Sequence, residues 1–443
     1  MSSFVLNIFK KKGSRQMVDK NDSLHRSRQF FILEGVTGIG QFSLTSGAFL
    51  AGFIHMLKGS DQINGMIAVI PAMAGVFQIF SSLIFEKMTK RKHTMVKMAI
   101  GLRSILALVY FIPMLMMPLG LGLEAFVLCF IIAYTINALN TPALVNWLVE
   151  LTPLSIRGQY LAYREKISLL VTAMLTIGLG KVLDYTRDAG NDMIGFGIVG
   201  LIVIVFSILN IYALIHIQEP SEHVPNHYKL KEVVTTPIKS PSFKRIILLF
   251  IIWNFALQIG GPFITVYMVT HLKLQYTYMM SLSVITTLVR VAISGYWGRM
   301  ADKKSWFLST KWSVGILAVV HFLWGFVTDG NYHVLVPILH VCSGIAWGGI
   351  GISLFNMQFL FAKKEGRTMY IGLNAAIGGI ASGVAVWIGG QMIKLLENQS
   401  FMLFNIPIGN LQMTFFISGL LLFICPIFVK LFIEHQQVEQ EDG

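Results

Sequence analysis

The sequence predicts an all-α integral membrane protein of twelve transmembrane helices, built as two six-helix repeats. Three observations predict it. The composition is wrong for a soluble globule: 54% of the 443 residues are hydrophobic and 13% are charged, against about 25% charged in soluble domains. Apolar runs of membrane-crossing length recur along the whole chain. Polar landmarks in the first half return in the second at nearly one offset. Together these disfavour a soluble enzyme, an intrinsically disordered chain and a secreted disulfide scaffold.

A hydrocarbon core of ~30 Å needs about 20 mainly apolar residues as helix. Such runs lie at 30–57, 62–85, 94–117, 122–149, 160–184, 193–217, 244–270, 274–298, 309–328, 332–360, 367–394 and 410–433. The strong alternation over ~10-residue segments that marks a membrane β-barrel is absent. Pro71, Pro142, Pro262 and Pro337 sit inside runs, which membrane helices tolerate where neighbours re-satisfy the backbone.

The repeat is read from the loops. FEKMTKRK (85–92) returns as WGRMADKK (297–304), an offset of 212. Asn146, Arg157 and Tyr160 return as Asn356, Arg367 and Tyr370, an offset of 210. The longest polar stretch separates the copies. The expected organisation is therefore an N-terminal segment 1–29, a six-helix half 30–217, a linker 218–243, a second half 244–433 and a tail 434–443. Parallel repeats of this kind place a solute site between the halves near mid-membrane.

Charge gives the orientation. The chain carries 35 Lys and Arg against 22 Asp and Glu, a net +13. If the N-terminus is cytoplasmic, 27 of the 35 basic residues fall on cytoplasmic segments and five on external ones. The other three, Lys97, Arg103 and Arg290, lie within spans. The positive-inside rule then predicts both termini in the cytoplasm, in a plasma (inner) membrane. The basic excess thus reads as topology rather than nucleic-acid binding. The polar start carries Lys10, Lys11 and Lys12, and the apolar run after it is too long for a signal-peptide core, so it is expected to be retained. Cys129, Cys342 and Cys425 lie in apolar runs without a CxxC pair, which disfavours disulfides and thiolate metal sites.

GRMADKK at 298–304 resembles the major facilitator motif G-x-L-A-D-R/K-x-G-R/K of the loop after an even-numbered helix. Gly298, Ala301, Asp302 and Lys303 match; Ser305 and Trp306 depart, and the first-half copy has Glu86 for the first Gly and Lys90 for the Asp. GAFLAGFIHMLKGSDQINGMIAVIPA (47–72), PLSIRGQYLAYREKI (153–167) and TTLVRVAISGYWGRMADK (286–303) are similar to a bacterial permease branch without an assigned substrate. The resemblance implies a cytoplasmic latch at Gly298, Arg299, Asp302 and Lys303, formed in one state and open in the other. Its alternative is a solvated basic loop that only sets topology. It implies a second gating loop with Arg157, Gly158 and Arg164, for which an interfacial charge cluster is the alternative. It also implies that spans one, four, seven and ten line the cavity.

The residues themselves support a cavity. Glu34, Thr37, Gln41 and Thr45 follow 3/4 spacing and share a helix face. Asn137 and Thr141, Asn254 and Gln258, and His340 and Trp347 place polar or aromatic groups in spans four, seven and ten. Interhelical hydrogen bonding is the competing use of such stripes. Arg103 and Arg290 sit deep in their spans, where a charge is costly and faces a cavity or a partner. The functional readings of each are binding an anionic group or pairing with Glu34; the alternatives are snorkelling or pairing with helix carbonyls. The substrate-binding candidates are Glu34, Gln41, Arg103, Asn137, Asn254, Gln258, Arg290 and Trp347.

The chain lacks GxxxxGK[ST], HExxH and GxSxG, so ATP drive, zinc-protease and serine-hydrolase chemistry lack their parts. No enzyme activity, metal site, prosthetic group or nucleic-acid partner is expected. The expectation is a secondary transporter of a small solute working by alternating access, with membrane lipid around it and protons as a candidate coupling ion through Glu34. The alternatives are a multidrug efflux antiporter and a non-transporting receptor of the same fold. TIGLGKVLD in span five (176–184) lacks the Gly-Pro element of drug–proton antiporters.

Overall fold

The computed structural model describes residues 22–434 except 86, 153, 220–228, 364–366, 398, 400 and 404–405. Lys10, Lys11 and Lys12 lie outside the described residues, as does most of the tail. The first half comprises α1 (Asp22–Leu44), α2 (Gly47–Met56), α3 (Asp61–Phe85, internally broken), α4 (Lys92–Ala107), α5 (Phe111–Leu119), α6 (Gly122–Glu150), α7 (Leu154–Asp188) and α8 (Asp192–His216). A short helix, α9 (Leu230–Lys239), follows. The second half comprises α10 (Pro241–Gln258), α11 (Gly261–Thr270), α12 (Tyr276–Lys303), α13 (Trp306–Trp324), α14 (Tyr332–Phe361, broken at Ser353), α15 (Arg367–Leu395) and α16 (Asn410–Ile433). Between α15 and α16, β1 (Phe401–Leu403) pairs antiparallel with β2 (Ile406–Ile408), Phe401 opposite Ile408.

Among the described residues, ten helices are long and apolar enough to cross a membrane. The pair α4 and α5, bent by 47°, makes an eleventh. The departure from twelve falls on the first expected run, 30–57. It is divided into α1 and the ten-residue α2. The break follows from Gly47, whose φ of +56° belongs to the left-handed region that Gly enters without steric cost. Arg26 and Arg28 near its start add charge to α1, which does not count among the membrane-length apolar helices.

Three boundaries differ from the sequence expectation. Residues 22–29, read as part of a polar N-terminal segment, are helical and belong to α1. The linker contains α9, and α10 begins at Pro241, with the Ser240 side chain accepting from Phe243 N as its cap. The GRMADKK stretch was expected as a loop, but α12 runs through Lys303, and the turn comes only at Ser305, which caps α13 through Phe307 N and Leu308 N. Gly298 therefore sits inside a helix, where one Gly weakens but does not end it.

The packing repeats. α1 packs on α7 and α8, as α10 packs on α15 and α16. α4 packs on α6 and α8, as α13 packs on α14 and α16. Across the two sets, α7 meets α12 and α3 meets α15. Lipid offers no hydrophobic drive for such contacts, so small residues and close packing carry them. Gly180 shows this: a Cβ there would lie 3.1 Å from the backbone N and Cα of Thr277. Aromatic rings fill the core at the same end. Phe53 lies 4.6 Å from Tyr110 and 5.3 Å from Phe196 between ring centroids, and Tyr276 packs edge-on against Phe196.

Candidate functional site

The α1 stripe is on one buried face. Thr37 Oγ1 donates to Leu33 O at 2.8 Å, and Thr45 Oγ1 to Gln41 O at 2.9 Å. These hydroxyls spend their protons within the helix and leave Glu34 and Gln41 to reach its neighbours. Gln41 Nε2 donates to Ser207 Oγ of α8 at 2.6 Å, and its Oε1 accepts from Arg103 Nη1 of α4. Arg103 Nε donates to Asn210 Oδ1 at 2.8 Å. Asn210 Nδ2 donates in turn to Thr37 Oγ1 at 2.9 Å and Glu34 O at 3.1 Å. A guanidinium only donates, so it fixes the orientation of both amides. Gln41 and Asn210 are fully buried, and Arg103 is 9% exposed.

Glu34 is paired by neither arginine that the sequence reading offered it. Its Oε2 lies 2.6 Å from Arg164 Nη2, and Arg164 Nε also donates to Phe31 O at 2.9 Å. Arg164 was expected on a gating loop. Instead, α7 starts at Leu154, earlier than the apolar run, and carries Arg164 to the face of α1. Gly35 makes room for it: a Cβ there would sit 2.7 Å from Arg164 Nε. Arg157 and Gly158 are within α7, but their side chains lie outside the described residues.

A cavity of about 370 Å³ opens beside this network. Glu34, Arg103, Tyr134, Asn137, Thr141 and Arg164 supply its polar wall, and Phe31, Ile39, Phe42, Leu102 and Leu106 much of its apolar wall. All its lining residues belong to the first half. The second-half candidates stand apart from it. Asn254 Nδ2 donates to Phe250 O at 2.7 Å, and its Oδ1 accepts from Ser382 Oγ at 3.3 Å. Trp347 packs edge-on against Trp253, with centroids 5.9 Å apart. Gln258 is half-buried, and Arg290 is exposed on α12. Arg299, Asp302 and Lys303 are exposed on the last turns of α12, and among the described residues Asp302 makes no ion pair.

Ser207 and Asn210 escaped the sequence reading. The only signal for them was two polar side chains three apart in the very apolar α8. His321 and His340 serve packing: His321 Nδ1 meets Ser418 Oγ at 2.8 Å, and His340 Nδ1 meets Val336 O at 2.9 Å.

The halves are tied at the end opposite the basic connections. Asp184 of α7 accepts from Tyr276 N at 2.6 Å and Thr277 N at 2.8 Å, so its carboxylate caps the start of α12. Arg187 Nη1 donates to Leu274 O at 3.1 Å and stacks 5.1 Å over the Tyr276 ring. Asp61 meets His271 at 2.8 Å. Among the described residues, these are the hydrogen bonds and ion pairs that cross between the halves.

Long apolar helices, intramembrane charges held in polar networks and an internal cavity define a multi-pass membrane protein of the transport class. The model of the Major Facilitator Superfamily matches residues 30–386, and the chain belongs to that family. Its fold is similar to that of a mutant of the nucleoside transporter NupG (TM-score 0.67, 12% identity, 91% of this chain and 99% of that one). It is similar to a bacterial homologue of the iron transporter ferroportin in its inward-facing state (TM-score 0.67, 12% identity, 92% and 98%). It is also similar to a D-xylose–proton symporter (TM-score 0.63, 14% identity, 93% and 98%). No curated protein sequence matches the chain.

Proposed function

We propose that the protein moves a small solute across a plasma (inner) membrane by alternating access. In this reading the halves 30–217 and 244–433 rock about the cavity beside α1, with both termini in the cytoplasm. One observation carries it: the polar ties between the halves lie at the end away from the basic connections. A carboxylate capping a helix start and a His–carboxylate contact are reversible fastenings. They suit a closed external gate while the cytoplasmic end stays open. Asp302, without an ion pair among the described residues, fits the same state, with its latch undone. The substrates in the names of the similar proteins differ among themselves and belong to those proteins.

Proton coupling refines this reading. Glu34 is the carboxylate in the cavity wall. A proton on it would remove the charge that holds Arg164 and so link protonation to the position of α7 against α1. The Glu34→Gln variant is expected to lose the drive of an imposed pH gradient in proteoliposomes while retaining solute exchange. An equal gradient response in variant and parent removes Glu34 from coupling.

The transport reading is tested with one cysteine at Asn137 in a background whose native cysteines are replaced. An impermeant maleimide should reach it from either face of sealed vesicles, because the cavity opens to each in turn. Labelling from one face alone would favour the non-transporting receptor.

A further inference from the structure

The cavity wall holds an imbalance of charge. Two guanidinium groups, Arg103 and Arg164, stand against one carboxylate, Glu34. That carboxylate is already engaged by Arg164 at 2.6 Å. The acceptors of Arg103 are both uncharged, the amide oxygens of Gln41 and Asn210. They satisfy its hydrogen bonding at two nitrogens but not its charge. Its Nη2 makes no hydrogen bond among the described residues. It lies beside Gly38, where a Cβ would sit 3.4 Å from Nη2 and 3.4 Å from Glu34 Oε1. No Arg103–Glu34 ion pair forms. A buried cation that shares its nearest carboxylate, Glu34, with a second guanidinium is costly, and a site that keeps two cations against one carboxylate is complementary to an anion.

Nothing in the second half redresses the balance. Between Pro241 and Ile433 its helices carry one carboxylate, Asp302, at the far end of α12. The apolar wall of Phe31, Ile39 and Phe42 selects for an organic body on the anion. A volume of about 370 Å³ falls in the range of small-molecule sites, roughly 300–1,000 Å³.

We propose that the solute is a small organic anion, whose carboxylate or phosphate group is received by Arg103 Nη2 beside the Glu34–Arg164 pair. This rests on the reading of the cavity as the solute site. Arg103 also positions Gln41 and Asn210, so one substitution alone does not separate binding from folding; variants that alter charge in opposite directions do.

The test uses the purified full chain and three probes of one frame: benzoate, benzyl alcohol and benzylammonium. Binding is read by thermal shift at equal concentration and ionic strength, since a ligand stabilises the form it binds by mass action. Inorganic phosphate is a fourth arm. Benzoate should stabilise the parent most. Arg103→Gln should weaken benzoate about ten- to a hundredfold, the scale of one charge-assisted bond, and Arg103→Lys should restore part of it. Glu34→Gln leaves two cations against no carboxylate and should tighten benzoate. Absence of a benzoate preference in the parent, whether all probes bind alike or none binds, overturns the proposal. So does weaker benzoate binding in Glu34→Gln. Phosphate binding without benzoate binding overturns the organic part. A cavity that alternates without preferring anions fails the substrate class alone. One that binds benzoate but is labelled from a single face fails the transport reading alone.

Discussion

Arg164 illustrates how a side chain acquires its role from tertiary structure. Its sequence neighbours, Glu165 and Lys166, make it look like part of a polar surface cluster, and both are exposed. Arg164 itself crosses to Glu34, a contact between residues 130 apart in the chain. Single-sequence reading sees spacing within a helix but not which face of another helix will meet it. The pair should therefore show strong coupling. Arg164→Ala leaves a partly buried carboxylate unpaired and is expected to destabilise by about 2 kcal/mol, less than for a fully buried pair. Adding Glu34→Gln should recover much of the loss in a double-mutant cycle. Thermal melts in detergent check it; additive effects would mean the pair contributes little. Arg290 is exposed on α12 and free of ion pairs among the described residues. Arg290→Ala is expected to abolish transport and Arg290→Lys to keep part of it. Parent-like uptake kinetics in the Ala variant would leave Arg290 a snorkelling residue.

Helices were legible where their physical cause is local. Of the twelve expected runs of about twenty apolar residues, eleven coincide with membrane-length helices among the described residues, counting the bent pair α4 and α5 as one, because lipid demands that length of any helix. The stripe Glu34, Thr37, Gln41 and Thr45 was legible because helical periodicity puts it on one face. The ends of α7 and α12 were not. Both helices run past their apolar segments through polar, charged residues that are good helix formers, so hydropathy marks the membrane boundary and not the helix boundary. The contribution of α7 to the cavity, through Arg164, was also hidden, because the resemblance assigned the lining to spans one, four, seven and ten. At this scale the end that carries the polar ties is the testable element. Asp184→Asn removes the charge that caps α12 and should raise labelling of the Asn137 cysteine from the external face about tenfold, the scale of ~1.4 kcal/mol. Gly180→Val should act in the same direction by wedging α7 from Thr277. If both leave labelling unchanged, the α7–α12 contact is no gate. Asp302→Asn should leave expression near normal and slow transport. Unchanged flux there, with Arg299→Ala also silent, reduces the end of α12 to a topology signal.

The whole molecule is two bundles with matched internal packing, in contact along α7–α12 and α3–α15 and joined by polar ties at one end. Its repeat was legible from loop motifs at offsets near 210 residues, because equivalent turns in equivalent bundles need similar residues. The conformational state was not legible, because in the proposed cycle the same sequence forms both states. The proposed orientation predicts labelling of cysteines at Lys58 and Lys273 from outside, and at Lys90, Lys231 and Lys303 only after permeabilisation. External labelling at 231 would reverse it. The central claim, that the two halves rock, is tested most directly by pulsed electron-spin distances on the same protein in liposomes. One label pair at Lys58 and Lys273 reports the fastened end, and another at Lys90 and Lys303 the basic end. The account predicts two populations at each end, with the short distance at one accompanying the long distance at the other, and a shift toward external opening in Asp184→Asn. A single distance at each end, unmoved by that variant, would contradict it.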